Sequence, residues 1–372
     1  MNNIINNLIK NIKLFKFCNY NNNKLNIIER EITKNNIKLS TKQIEQYNNN
    51  NIYLRNFVKK NVIFNEFQEL YSIFDNKFIS YEISTFIIDN IKYKCLLNSK
   101  DYNITIYFYN KNKNLLLINE ILNIVKYCKI ILKINKPINL IIYLTPLKKK
   151  FNKILNINNI NSGSTNCENI WIFREEELLK IIIHELIHYS NYDINNDSYL
   201  NKLILSKIKL LDNTSFFSIN EAYTESLAIL LFIFYLTFKK FKKFNLNYYN
   251  KLLNIEIKWS ILQSAKILYY NYNFNKLENM YMNNNIYQNT DIVSYYIIKS
   301  ALLFNYKYFF DFLDSNTTNC NFNDNINNYN NFYSLVFKCL DCRNFNNIVN
   351  NIIKKFSTNN LLIKSMRMSY LS

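Results

Sequence analysis

Residues 178–190, LLKIIIHELIHYS, are apolar along the whole interior of the segment, and this constrains the fold more than any other feature of the chain. A helix with one apolar stripe can lie on a surface, whereas a helix apolar on all sides has to be buried. Whatever fold forms must therefore wrap around this helix, and the two His and one Glu that it carries go into the interior with it. Residues 175–177 are all Glu and complement the positive end of the helix dipole.

His184-Glu185-Leu186-Ile187-His188 has the form HExxH. Positions four apart share a helix face, so two imidazoles can converge on one ion with Glu185 turned toward the ion's open side. The whole chain has 2 His, and they are these two. Chance places two His four apart with Glu after the first on the order of once in several thousand such chains. A pair of satisfied core histidines is the competing explanation, but buried imidazoles need partners in any case, and metal binding explains the spacing better. A catalytic zinc takes three protein ligands and keeps one position open for water, so a third, non-His ligand is required. The metzincin spacing would put it at Ile194, with Asp193 one residue out of register, and that class is set aside.

Downstream, residues 219–225 read Ile-Asn-Glu-Ala-Tyr-Thr-Glu at the start of a helix that continues into an apolar run. This resembles the second signature of thermolysin-like gluzincins, Asn-Glu-Ala-x-x-Asp, and the resemblance extends from the HELIH helix to Glu225. It implies that Glu221 is the third zinc ligand and that Glu225, one turn on, orients a zinc histidine. The chain has Glu where the pattern has Asp, which adds a methylene and leaves open whether Glu221 or Glu225 binds. Two competing roles also stay open. Ser218-x-x-Glu221 has the form of a capping box, and Glu225 could be a solvated side chain.

The same resemblance implies a Zn2+-dependent peptidase acting on a peptide or protein substrate, with Glu185 as general base toward a metal-activated water. With both histidines used as ligands, the oxyanion donor is expected to be Tyr, as in the aminopeptidase branch of gluzincins. Tyr223, Tyr295 and Tyr296 are the candidates, each competing with a plain core role. The strand at residues 169–173 is a candidate edge for pairing with an extended peptide, or else an inner strand. NSGST, IWIFREEE and HELIH, in that order, also resemble uncharacterised proteins of large DNA viruses, a resemblance that implies no substrate.

The expected architecture is α+β: an Asn/Lys-rich helical region with a mobile start (1–85), a zincin-like mixed subdomain carrying HExxH (86–194), and a mostly helical C-terminal part (195–372) carrying the third ligand. Residues 91–97 and 103–109 read as strands, 115–128 as a helix and 138–146 as a strand stopped by Pro146. The Asn-rich stretches 283–289 and 319–331 read as surface loops. Gly163 is the 1 glycine of the chain, so it is expected at a positive φ or at a close approach that no side chain permits.

The net charge is +19, but Lys is spread along the chain and shares the AT-rich codons of the abundant Asn, Ile, Tyr and Phe. No clustered basic face is visible, so specific nucleic-acid binding is not expected, although a basic nucleic-acid-binding protein with an incidental HELIH is one alternative and an inactive zincin-fold interaction protein another. Seven Cys in a chain of this length point to reduced thiols and an intracellular, cytoplasmic protein, virus-encoded if the viral resemblance holds. The CxxC at Cys339 and Cys342 lacks partners for a four-ligand site. No secretory signal is evident, and the longest apolar run, residues 227–238, is too short to span a bilayer.

Overall fold

The computed structural model describes residues 28–31, 76–110, 115–211, 216–282, 286–318, 320–359 and 364–372. Of the region expected to be helical, residues 1–27 and 32–75 lie outside the described residues, and Ile28–Glu31 is a strand instead, paired along the edge of the sheet. The fold is α+β, with a mixed sheet followed by a helical C-terminal part.

Six strands form the sheet: β1 (Ile28–Glu31), β2 (Tyr93–Asn98), β3 (Tyr102–Phe108), β4 (Ile138–Tyr143), β5 (Gly163–Thr165) and β6 (Ile170–Ile172). Their order is β1-β2-β3-β4-β6-β5, parallel at β3/β4 and β4/β6 and antiparallel elsewhere. The alternation of β4 shows why the sheet is covered on both sides. Ile138, Leu140 and Ile142 face the main core, while Ile141 and Tyr143 join Ile83, Ile87, Tyr107 and Phe173 in a second cluster. Helix α1 (Tyr81–Asn90), capped by the Ser80 hydroxyl, supplies Ile83 and Ile87 to that second cluster and straddles the expected boundary at residue 85. On the main-core face, α2 (Leu115–Ile131) makes the crossover from β3 to β4.

After the short α3 (Ile157–Ile160) comes α4 (Leu178–Tyr189), the HELIH helix. Ten of its residues, from Leu178 to Tyr189, are buried, as its all-round apolar character requires. Helix α5 (Ser198–Leu205) leads to α6 (Asn220–Phe241), which packs against α4, and α7 (Leu246–Lys266) packs on α6. Among the described residues α6 is the helix long and apolar enough to cross a membrane, yet 89% of its apolar window is buried inside the protein, so it is a core helix here. The remaining helices include α8 (Asn279–Met282), α9 (Lys299–Phe304) behind the π-helical turns Val293–Ile298, α10 (Tyr306–Asn316), α11 (Ile326–Leu340) and α12 (Arg343–Asn359). A single apolar cluster runs from Cys95 to Met368, continuous across the expected boundary at residue 194.

The Asn-rich stretch 319–331 is less loop-like than expected, because it holds a short strand and the first turn of α11. Asn325 is the α11 N-cap, its side chain accepting from Asn328 N, as Asn245 does for α7. Among the described residues, six non-glycine residues, Lys133, Glu177, Asn191, Lys242, Asn273 and Cys320, take positive φ, whereas Gly163 does not.

Candidate metal centre

Helix α4 presents His184 and His188 one turn apart, and the first turn of α6 brings Glu221 against them. The two Nε2 atoms are 3.1 Å apart, and Glu221 Oε2 lies 3.2 Å from that of His184 and 3.5 Å from that of His188. Among the described residues this is the grouping of His, Cys, Asp and Glu fit to hold one ion. Tetrahedral zinc with bonds of about 2.0–2.1 Å keeps its ligand atoms about 3.3 Å from one another. The three donor atoms thus surround a point about 2 Å from each, as a bound zinc requires.

The chemistry of the donors fits a cation too. Each imidazole uses its Nδ1–H on a carboxylate: His184 donates to Glu225 Oε2 at 2.9 Å and His188 to Asp193 Oδ2 at 2.5 Å. That leaves both Nε2 lone pairs facing Glu221 Oε2, which is buried and accepts no hydrogen bond. Three acceptors turned on one another repel unless a positive charge lies among them, and a buried acceptor without a donor is costly otherwise.

The carboxylates beyond the histidines are themselves held. Glu225 is fully buried and takes Lys180 Nζ at 2.8 and 3.1 Å, so the solvated alternative for Glu225 does not describe this fold. Asp193 accepts from Asn220 Nδ2 at 2.8 Å, and Asn220 Oδ1 takes the Ile194 N–H at 2.9 Å. Asp193 escaped the sequence reasoning, which weighed it only as a third ligand. The signal available was Asn191, whose left-handed backbone (φ 53) turns the chain back under His188. The capping box does not form either: Ile219 occupies the N-cap position, and Ser218 donates to Asp197 Oδ2 at 2.6 Å, which leaves Glu221 to the histidines.

Glu185 lines one cleft with His184, Gly163 and Tyr295, and its carboxylate lies against β5. Its Oε2 takes the Thr165 hydroxyl at 2.6 Å, and the backbone of Gly163 passes so close that a Cβ there would lie 2.5 Å from Oε1. The glycine thus serves a close approach. Burial pushes the Glu185 carboxyl up, opposed by His184 and His188. Burial pulls the same way on Glu221, yet the two imidazoles hold it well below the usual carboxylate range. Burial would lower both imidazoles, and their carboxylate neighbours overcome it, His188 being held well above its ordinary value.

Of the three tyrosines, Tyr295 reaches the centre. Its ring lies 6.1 Å from that of His184, and its phenol is pushed well up by burial, then by Glu221, Asp291 and Glu185. Tyr296 faces the opposite way and donates to the Met366 carbonyl at 2.6 Å, because neighbours on a helix point about 100° apart. Tyr223 donates to the Cys320 carbonyl at 2.9 Å inside an aromatic cluster with Phe309, Phe322 and Phe332. Neither hydroxyl is available to the centre. The strand at 169–173 is an inner strand, since β6 pairs with both β4 and β5. Among the described residues, the sheet edge beside α4 is β5.

A protein of Acanthamoeba polyphaga mimivirus, described as the uncharacterized protein R210, is 29% identical over 168 residues, 42% of this chain and 41% of that protein. The chain thus spans less than half the length of that relative. No family model matches the chain. No solved structure matches it.

Proposed function

We propose that this protein is a zinc-dependent peptidase of the gluzincin type, with His184, His188 and Glu221 as ligands. The observation that supports it most is the triangle of donor atoms, with Glu221 Oε2 buried and accepting no hydrogen bond. An intact Glu185 beside it argues for turnover, because a purely structural zinc site has no use for a general base.

When bound, zinc supplies Lewis acidity, polarising a carbonyl and bringing the pKa of a coordinated water to about 7. The protein's own groups do the rest. Glu185, with its proton affinity raised by burial, takes a proton from the attacking water and hands it to the departing amine. Thr165 holds one oxygen of that carboxylate and leaves the other to accept the proton. Tyr295 donates its phenol to the oxygen on which negative charge develops. The edge that β5 forms among the described residues pairs with the main chain of an extended peptide, which fixes its direction with little demand on its sequence.

Elemental analysis of the purified protein, followed by a peptide-library digest with wild type and Glu185→Gln, tests this reading. One zinc per chain in both, with cleavage by wild type alone, is the expected result. No zinc in wild type overturns it, and zinc without cleavage reduces the site to a structural one.

A further inference from the structure

Residues 364–372 pass the cleft that Gly163, Lys180, His184, Glu185 and Tyr295 line, contribute Met368 to it, and are held largely by their main chain. The Ser365, Met366, Arg367 and Met368 carbonyls accept from Lys266 Nζ, the Tyr296 hydroxyl, Trp259 Nε1 and Lys299 Nζ at 2.6, 2.6, 3.0 and 2.8 Å. The Ser369 N–H donates to Glu177 at 2.7 Å, and those of Tyr370 and Leu371 donate to Glu256. Side chains that bond to main chain hold a peptide whatever its sequence. Here the peptide belongs to the same chain.

One side chain of the segment matters to the metal centre. Met368 lines the cleft with His184 and Glu185, and its sulfur lies 4.0 Å from Lys180 Nζ. Lys180 is the partner of Glu225, and Glu225 holds His184. Both charges of that pair are out of water, at 1% and 0% side-chain exposure. Opposite charges attract about fourfold more strongly at the effective dielectric of a protein interior, roughly 20, than in water at roughly 80. The grip on His184 therefore depends on the pair staying dry.

We propose that residues 364–372 are an internal lid on this charge chain: Met368 keeps water from Lys180 and Glu225, and Lys180 positions Glu225 so that His184 keeps the orientation a metal requires. Lys180 and Met368 are positioning residues, and metal affinity is coupled to the seating of the segment. The inference rests on the metal-site reading above, but not on peptidase activity.

The test is the zinc dissociation constant of the full chain, measured by chelator competition at low and high salt. It compares wild type, Met368→Ser, Lys180→Met and Lys180→Arg, with near-UV circular dichroism to verify folding. Met368→Ser is expected to fold, to bind zinc at least about tenfold more weakly, as loss of support to a ligand does, and to become salt-sensitive, as wetted ion pairs are. Lys180→Met is expected to weaken binding as much, and Lys180→Arg to restore most of it. A folded Met368→Ser with wild-type affinity at both salt concentrations overturns the lid even if Lys180→Met fails to fold. Wild type without zinc overturns the metal centre and the lid together, whereas zinc binding indifferent to Met368 overturns the lid alone.

Discussion

The backbone of Gly163 lies against the carboxylate of Glu185, and a methyl group at that position would sit 2.5 Å from Oε1 and 2.9 Å from Cδ. Real Cβ atoms do not come that close to a neighbour, so in Gly163→Ala the carboxylate has to leave Thr165 and swing within the cleft. A misplacement of about 1 Å in a reacting group can cost about 100-fold in rate. Gly163→Ala is therefore expected to lose at least that much kcat while keeping its zinc, and a variant that loses metal instead would place Gly163 in the ligand scaffold. Steady-state kinetics beside elemental analysis distinguishes the two.

Tyr295 and Tyr296 are adjacent in sequence, and the proposed mechanism gives them different roles. Tyr295→Phe is expected to lower kcat by roughly 100-fold, the scale on which an oxyanion donor acts, with the melting temperature little changed. Tyr296→Phe deprives the buried Met366 carbonyl of its donor and is expected to cost about 1–3 kcal/mol of stability with kcat retained. A kinetic defect in Tyr296→Phe and none in Tyr295→Phe would reverse the assignment.

Asp193 receives the His188 Nδ1–H and is itself held by Asn220. Its replacement by Ala is expected to weaken zinc binding by roughly 10- to 100-fold, typical for loss of a carboxylate behind a metal histidine, with Asn220→Ala smaller in the same direction. Chelator competition gives both values, and an unchanged affinity in Asp193→Ala would deny it any part in the site.

The imidazoles' raised proton affinity sets the pH dependence. Only the neutral ring binds metal, so zinc affinity is expected to fall as pH falls through the raised values, with protons released on binding. Without zinc the sign reverses. A folded-state pKa raised above the unfolded value of about 6.5 stabilises fully below that value and loses its contribution as pH rises through the folded one. The lowered carboxyl of Glu221 stabilises above the unfolded value of about 4.3 and is lost as pH falls below it. Chelator-treated protein should therefore melt highest in mildly acidic buffer and lower toward alkaline pH, while saturating zinc should invert that upper slope. Melts from about pH 5 to 9 with and without chelator measure it; parallel curves would disprove the coupling.

Much of the fold was legible because periodicity is a local signal. The strands β2, β3 and β4 and the HELIH helix follow from alternation and from apolar spacing, and the spacing of His184 and His188 needs one helix only. What the sequence hid depends on direction in space. Whether Tyr295 or Tyr296 faces the centre turns on about 100° of helix phase, here within a π-helical stretch that shifts the phase. The inner place of β6 depends on strand order, which alternation does not carry. Asp193 lies beyond the helix end, and only the left-handed turn at Asn191 brings it back. The cap alternative for Glu221 was removed by Ser218, whose hydroxyl is engaged by Asp197, a residue 21 positions away.

The left-handed backbone positions have a consequence for engineering. Lys133, Lys242 and Asn273 hold conformations that favour glycine, at roughly 1 kcal/mol each for an ordinary side chain. The fold therefore sits below the stability its topology permits. Glycines placed at those three bends, far in sequence from HELIH, offer reserve thermal tolerance against which disruptive variants of the metal centre could be studied without the chain collapsing.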